Sequence, residues 1–389
     1  MPWHQAAARL SLLTGGFSAA LGADTPVGGA RPAQHLIFSV KMLEDNIAPA
    51  LELTGSLLAE ADFRDLKRLE MLVVEMRNDL KSALVPGGSY FASLRAGARL
   101  SEAIGQEEHW KGVSQLSRLG DLAGASKLES LAGRLEGLRA SLLRRSRFTL
   151  NLTFDSGFAA RARPAIAAFL DRFPDSGPLP AGSDGSPRRL GAPPGQRLEA
   201  LLTTTNVNFA AVALPAASFG TRESAQEAIL AHYLSTGFLW EQVRMKGGAY
   251  GAGASVSSLE RVFTFSSYRD PNIARTLTAF REALDAARSR RLAPEEFEQV
   301  LIGAVGKEER PMAPGERGYT ALKRSLLGIT DRMRQERRDR LLAASPEDLS
   351  EAAARLVSSY ERGFSVVLTG RQALESSGLG EVSLVEIPD

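Results

Sequence analysis

The sequence predicts an α+β protein of two domains with one order of elements, each a mostly antiparallel sheet with helices on one face, the first carrying an added helical hairpin. Three observations lead there. The chain has 389 residues, and at roughly 100–200 residues per domain that length favours two cores. Residues 174–194 open as Pro-Asp-Ser-Gly-Pro-Leu-Pro-Ala-Gly-Ser-Asp-Gly-Ser-Pro. Such a stretch is too rich in proline, glycine and small polar side chains to bury a core, and reads as a linker. The halves on either side share one order of elements: strand signals, a helical block, a further strand signal. The expected domains are therefore 1–173 and 196–389, joined by 174–195.

In the first half, residues 9–21 and 35–42 read as strands, with Thr14-Gly15-Gly16 as a turn or bulge. Asp62 is the expected N-cap of a helix whose stripe is Leu66, Leu69, Val73, Met76 and Leu80, stopped by Pro86-Gly87-Gly88. Further helices are expected over 90–119 and 126–143, as a projecting hairpin or as a layer on the sheet. Residues 148–154 alternate, with Phe148, Leu150, Leu152 and Phe154 on one face and Thr149, Asn151 and Thr153 on the other, so a strand is predicted.

The second half opens with an apolar stretch at 206–214. A long amphipathic helix over 224–246 follows, in which Ile229, Tyr233 and Trp240 line up with Leu230, Leu234 and Phe238. Gly247-Gly248 suits its left-handed C-cap. Strands are expected at 250–257, 262–268 and 364–369, the first with Tyr250, Ala252, Ala254 and Val256 on one face. Ser345-Pro346-Glu347-Asp348 is a helix start with a hydroxyl cap and proline in the first turn.

Composition excludes several functions. The chain has no cysteine, which removes disulfides, thiolate nucleophiles and thiolate metal sites. Its 47 basic and 45 acidic residues are too balanced to make nucleic acid a main partner. Arg332, Arg334, Arg337, Arg338 and Arg340 interleave with Asp331, Glu336 and Asp339, the pattern of a solvated helix face. No apolar run approaches the roughly 18 residues of a spanning helix, so no membrane partner is expected. A faint leader at 9–23 is broken by Gly15-Gly16 and Ser18, which favours a cytoplasmic location.

Metal chemistry is also missing. A catalytic zinc takes about three protein ligands, often two on one helix. The four histidines are His4, His35, His109 and His232, and no two stand within four residues. Glu107-Glu108-His109 ends like His-x-x-Glu-His, but Gly105 holds the place of the first histidine, and a solvated helix face is expected. There is no nucleophile elbow, phosphate loop or dinucleotide fingerprint. The glycines from Gly248 to Gly253 follow a helix, the wrong order for nucleotide binding. Taken by residue type, Arg244 reads as a surface arginine favourable to a helix C-terminus, and Tyr250 as a half-buried aromatic opening a strand.

One segment carries more. Phe238-Leu239-Trp240-Glu241-Gln242-Val243-Arg244-Met245-Lys246-Gly247-Gly248-Ala249-Tyr250-Gly251 closely resembles a signature in the C-terminal half of pitrilysin/insulinase-type (M16) zinc metallopeptidases, nearest to the presequence-protease-like subgroup. Ala8-Arg9-Leu10-Ser11-Leu12-Leu13-Thr14-Gly15-Gly16 resembles the opening strand of that subgroup's third domain, and the helices at about 63–143 resemble its helical insert. The resemblance implies a clamshell of four homologous domains, two of them the halves of this chain, that hydrolyses unstructured peptides. Its zinc would sit on the first domain, with no ligands in this chain. It further implies that Arg244 and Tyr250 are catalytic, reaching across a chamber toward the substrate, and that Gly247 and Gly248 let the substrate backbone approach. The implied partner is an N-terminal zinc-bearing half, in the same polypeptide or a separate chain, without which this chain would be inactive. The alternative is a non-catalytic scaffold subunit of the same fold.

Overall fold

The computed structural model describes residues 2–122, 125–175, 189–191 and 195–387. Most of the expected linker, 176–188 and 192–194, lies outside the described residues. The first half runs α1 (Trp3–Leu13), β1 (Gly16–Asp24), β2 (Ala33–Lys41), α2 (Ile47–Glu60), α3 (Leu66–Leu84), α4 (Gly88–Gly97), α5 (Glu102–Lys111), α6 (Val113–Asp121), α7 (Ala125–Leu142) and α8 (Ala159–Leu170). The second half runs β3 (Leu198–Leu202), β4 (Phe209–Pro215), α9 (Arg222–Thr236), β5 (Gly251–Ser257), β6 (Val262–Tyr268), α10 (Ile273–Ser289), α11 (Pro294–Glu308), α12 (Pro314–Leu326), α13 (Asp331–Leu342), α14 (Pro346–Ser359), β7 (Phe364–Thr369), α15 (Arg371–Ser376) and β8 (Ser383–Glu386).

The second half owns a six-stranded sheet in the order β5-β6-β4-β7-β3-β8. Its first three pairings are antiparallel and its last two parallel. The half's own helices cover one face: Leu230 and Leu234 of α9, Phe280 of α10 and Leu356 of α14 bury Val212, Leu214 and Phe265. The other face is covered by α4, borrowed from the first half, where Phe91, Ala92 and Ala96 pack on Leu201, Phe209 and Leu368. A Cβ on Gly88 would fall 2.3 Å from the Phe209 ring, so this close seat requires glycine. The helical block at 90–119 is thus a layer, broken at Ser101 and Gly112, and it lies on the other half's sheet.

A buried ion cluster locks that layer down. Arg95 of α4 meets Glu199 of β3 at 2.8 Å and Glu108 of α5 at 2.9 Å, and Arg99 meets Glu199 at 2.7 Å. Glu108 is fully buried, and Glu107 accepts from the Ala23 amide and Lys111, so of the expected solvated trio only His109 is exposed. The arginine face of α13 is likewise partly bound, Arg337 to Glu308 and Arg338 to Glu309 at the end of α11.

The first half departs further from expectation. Residues 3–13 form a helix where a strand was expected over 9–21, because this alanine- and leucine-rich run favours helix until the Gly15-Gly16 pair. The cap of α3 is Asp65, accepting from the Arg68 amide, while Asp62 accepts from Arg64 in the turn before it. β1 and β2 form a two-stranded antiparallel sheet. Residues 148–154 are extended but join no ladder among the described residues. Their alternation is nevertheless physical. Phe148 packs on Phe169 and Phe173 and Phe154 on Phe158, while Thr153 on the opposite face abuts Gly318 of α12. Between them and β2 lies a cavity of about 1430 Å³.

Candidate active site

The segment 237–251 joins α9 to β5. α9 stops at Thr236, since Gly237 takes a non-helical conformation. The chain then winds through Trp240–Met245 as a π turn, with the Lys246 amide donating to the Glu241 carbonyl five residues back. The single helix expected over 224–246 is therefore two pieces. The wider turn shifts the register, and Trp240 of the expected apolar stripe emerges 45% exposed while Ile229, Leu230 and Leu234 are sealed. Isolated π turns are rare and are frequent at functional sites.

Gly247 and Gly248 close this element. Gly248 has φ +79°, the left-handed cap expected of the pair. A Cβ on Gly247 would fall 2.5 Å from the Val243 carbonyl oxygen, so both positions require glycine for the turn itself. The Gly248 amide donates to the Arg244 carbonyl and the Ala249 amide to that of Val243. From outside, the Asn272 side-chain amide donates to the Gly247 carbonyl at 2.6 Å. Asp270 holds Asn272 through its amide and is pinned to the base of β4 by Asn208.

Arg244 and Tyr250 flank this turn, and both are exposed, Tyr250 at 73%. Arg244 makes no ion pair among the described residues, whereas its neighbours Glu241 and Lys246 pair with each other at 2.6 Å. The Tyr250 amide is fixed by the carbonyl of Tyr268, and its ring meets that of Tyr268 edge-on at 6.3 Å. Beside them, Arg269 sits at φ +47° with its guanidinium over the Tyr268 ring. Tyr268 and Arg269 escaped the sequence reading. The signal for them was the pairing of 250–257 with 262–268, which brings the end of one strand to the start of the other.

The rigid part of the site is thus its backbone, and the free part is a guanidinium and a phenol on open surface. Small-molecule sites are usually cavities, yet neither the 1430 Å³ cavity nor one of about 600 Å³ beside α10 is lined by Arg244 or Tyr250. Among the described residues no three His, Asp or Glu side chains gather to hold a metal ion, so the residues present do not fit a zinc. No helix among them is long and apolar enough to cross a membrane.

Comparison with known proteins agrees with these features. A family model described as PreP C-terminal domain matches residues 198–371, and a second, for a region associated with the C subgroup of peptidase M16, matches 1–122. Presequence protease 1, chloroplastic/mitochondrial, of Arabidopsis thaliana is 28% identical over 378 residues, covering 96% of this chain and 34% of its own length. The mitochondrial presequence protease of Danio rerio is 28% identical over 396 residues, covering 95% and 38%. The chain therefore spans little more than a third of these relatives. The crystal structure of a peptidase M16 inactive domain from Pseudomonas fluorescens shares the fold, with TM-score 0.60 at 12% identity over all of this chain and 86% of that one.

Proposed function

The chain belongs to the pitrilysin-type (M16) peptidases, in their presequence-protease-like subgroup, and on that premise we propose that it is the zinc-free, substrate-clamping half of a peptidase that degrades unstructured peptides. The observation that carries this reading is the Arg244–Tyr250 turn: two exposed donors on a backbone that glycine geometry and Asn272 hold rigid. Donors carried on a fixed backbone suit the chemistry. As a peptide carbonyl is attacked, negative charge grows on its oxygen, and donors already aimed at that position lower the barrier. The Tyr250 hydroxyl donates to the developing oxyanion and the Arg244 guanidinium offsets its charge. Exposed Gly248 adds no side chain between the turn and an extended substrate, whereas Gly247 is buried and serves the turn itself.

The metal belongs to the zinc-bearing half, in the same polypeptide or another chain, and this chain by itself is inactive. We place it in the cytoplasm; the names of the relatives place those proteins in mitochondria and chloroplasts, and fractionation of native cells checks the point. A non-catalytic scaffold would have no use for an exposed Arg–Tyr pair on so constrained a turn. The decisive experiment is Tyr250→Phe in the assembled enzyme. Turnover of an unstructured peptide should fall more than about tenfold with zinc content unchanged, and wild-type turnover would remove Tyr250 from the mechanism.

A further inference from the structure

The corner where β6 ends carries a guanidinium that the chemistry at the scissile carbonyl leaves unused. Among the described residues only two non-glycines have positive φ, Arg261 at +55° and Arg269 at +47°. Arg261 lies in the turn between β5 and β6, where such a conformation is ordinary. Arg269 lies at the far end of the same hairpin, beside the Arg244–Tyr250 turn. There the chain changes partners. The Tyr250 amide is shared between the carbonyls of Tyr268, at 3.0 Å, and Arg269, at 3.4 Å. The next residue, Asp270, pairs through both of its backbone groups with Asn208, ahead of β4. A left-handed arginine is sterically costly and persists where its surroundings impose it, as they often do at functional sites.

That backbone delivers the Arg269 side chain onto an aromatic platform. Its guanidinium lies 5.6 Å from the centre of the Tyr268 ring, within range of a cation–π contact. The Tyr250 ring meets the same platform edge-on at 6.3 Å, and Phe209 backs it at 5.5 Å. Phe209 is fully buried and sits against Gly88 of α4. The phenol and the guanidinium are therefore carried on one ring that the core of the sheet fixes. A stacked guanidinium keeps its N–H edge free for a planar acceptor with two oxygens.

No carboxylate of the described residues fills that edge. Arg269 is exposed and makes no ion pair among them. Asp270 beside it is buried; one of its carboxylate oxygens accepts from the Asn272 amide and the other is unpartnered. Glu241, on the other side of the turn, is taken by Lys246. With Arg244 also free of ion pairs, the surface around Tyr250 carries two uncompensated cations.

We propose that Arg269 binds a carboxylate of the substrate peptide, either an acidic side chain or the C-terminal carboxylate, at a set distance from the bond that is cut. That distance rests on the proposed function, which assigns Arg244 and Tyr250 to the scissile carbonyl. The Tyr250 ring and the Arg269 guanidinium both lie about 6 Å from the Tyr268 ring centre, so they are at most about 12 Å apart, a span of up to about four extended residues.

Cleavage of short unstructured peptides by the assembled enzyme tests this, with glutamate or glutamine placed at each position in turn and the C-terminus free or amidated. In the wild type, kcat/KM should favour glutamate over glutamine about tenfold at one position within about four residues of the cut, or a free C-terminus over an amide by as much. The first result identifies a side-chain carboxylate and the second the terminal one. Arg269→Asn removes the guanidinium while asparagine tolerates the left-handed backbone, and it should bring the ratio to about one. Arg269→Glu should reverse the preference. Ratios near one throughout in the wild type, or a preference that survives either substitution, would overturn the proposal. Tyr250→Phe keeps the two readings apart, because it should slow every peptide and leave the ratio as it was. Wild-type turnover in Tyr250→Phe, alongside a preference lost in Arg269→Asn, would end the catalytic reading and leave the carboxylate site standing.

Discussion

The two halves of this chain share one run of elements, a helix, a hairpin, a helical block and an extended segment, and reach different degrees of closure. In the second, β4 and β7 are central strands, with Phe209, Val212, Val367 and Leu368 sealed from solvent. In the first, the segment in the place of β7 has an equally regular pattern and leaves Leu150, Leu152 and Phe154 about two-fifths exposed. The difference lies in the neighbour. A strand is stabilised by cross-strand pairing and burial more than by intrinsic preference, so residues 148–154 have a strand's faces without a strand's ladder. The second half's closure itself depends partly on the first, since α4 roofs its sheet.

The largest effect should come from loosening that roof. Arg95→Ala leaves Glu199 and Glu108 buried without their shared cation. Removing one partner of a buried ion pair costs about 3–5 kcal/mol. Urea unfolding followed by circular dichroism should show that loss. A cost near zero would mean that α4 is held by its apolar face alone.

Next comes a matched pair of truncations at corresponding places. Leu368→Ala in β7 opens a cavity in a closed core and should cost about 2–5 kcal/mol. Leu152→Ala removes a side chain that is 41% exposed and should stay within about 0.5 kcal/mol. Equal costs would erase the contrast between the halves.

How far the sequence foretold this follows the same logic. Elements defined by their own periodicity were legible: α7 and the strands β5, β6 and β7 fall within a few residues of expectation, and the apolar stretch at 206–214 holds β4. β3 and β8, of five and four residues, are too short to show alternation, and they exist through their pairing with β7 and with each other. The reverse error at 148–154 has the same cause, because pattern reports which faces a segment has and says nothing about who lies beside it. At the candidate site, the Gly247-Gly248 cap was readable from glycine chemistry. The π turn before it was not, since it depends on a break at Gly237 that a stripe of apolar residues conceals. Tyr268 and Arg269 reach the site only through register. The buried role of Glu108 was hidden because its partner, Arg95, lies on another helix.

The smallest effect distinguishes buried from exposed charge in the two halves as acid is added. Burial alone would raise the Glu199 carboxyl, but hydrogen bonds and charge from Arg95 and Arg99 override it and hold the group below its ordinary value of 4.5. A carboxylate whose folded pKa is depressed stabilises the fold above its unfolded pKa, and that contribution disappears as pH falls through the folded value. Glu136 is also lowered, by its hydrogen bond to Arg64, but that pair stands in solvent, where salt and water leave ion pairs little net worth. Stability should therefore decline as pH falls below about 4.5, and Glu199→Gln should flatten part of that decline while lowering stability at neutral pH. Glu136→Gln should leave the acid limb where it was. Identical acid limbs for Glu199→Gln and wild type, measured by urea midpoints at pH steps from about 7 down to about 3, would show that the seam between α4 and β3 does not depend on the Glu199 charge.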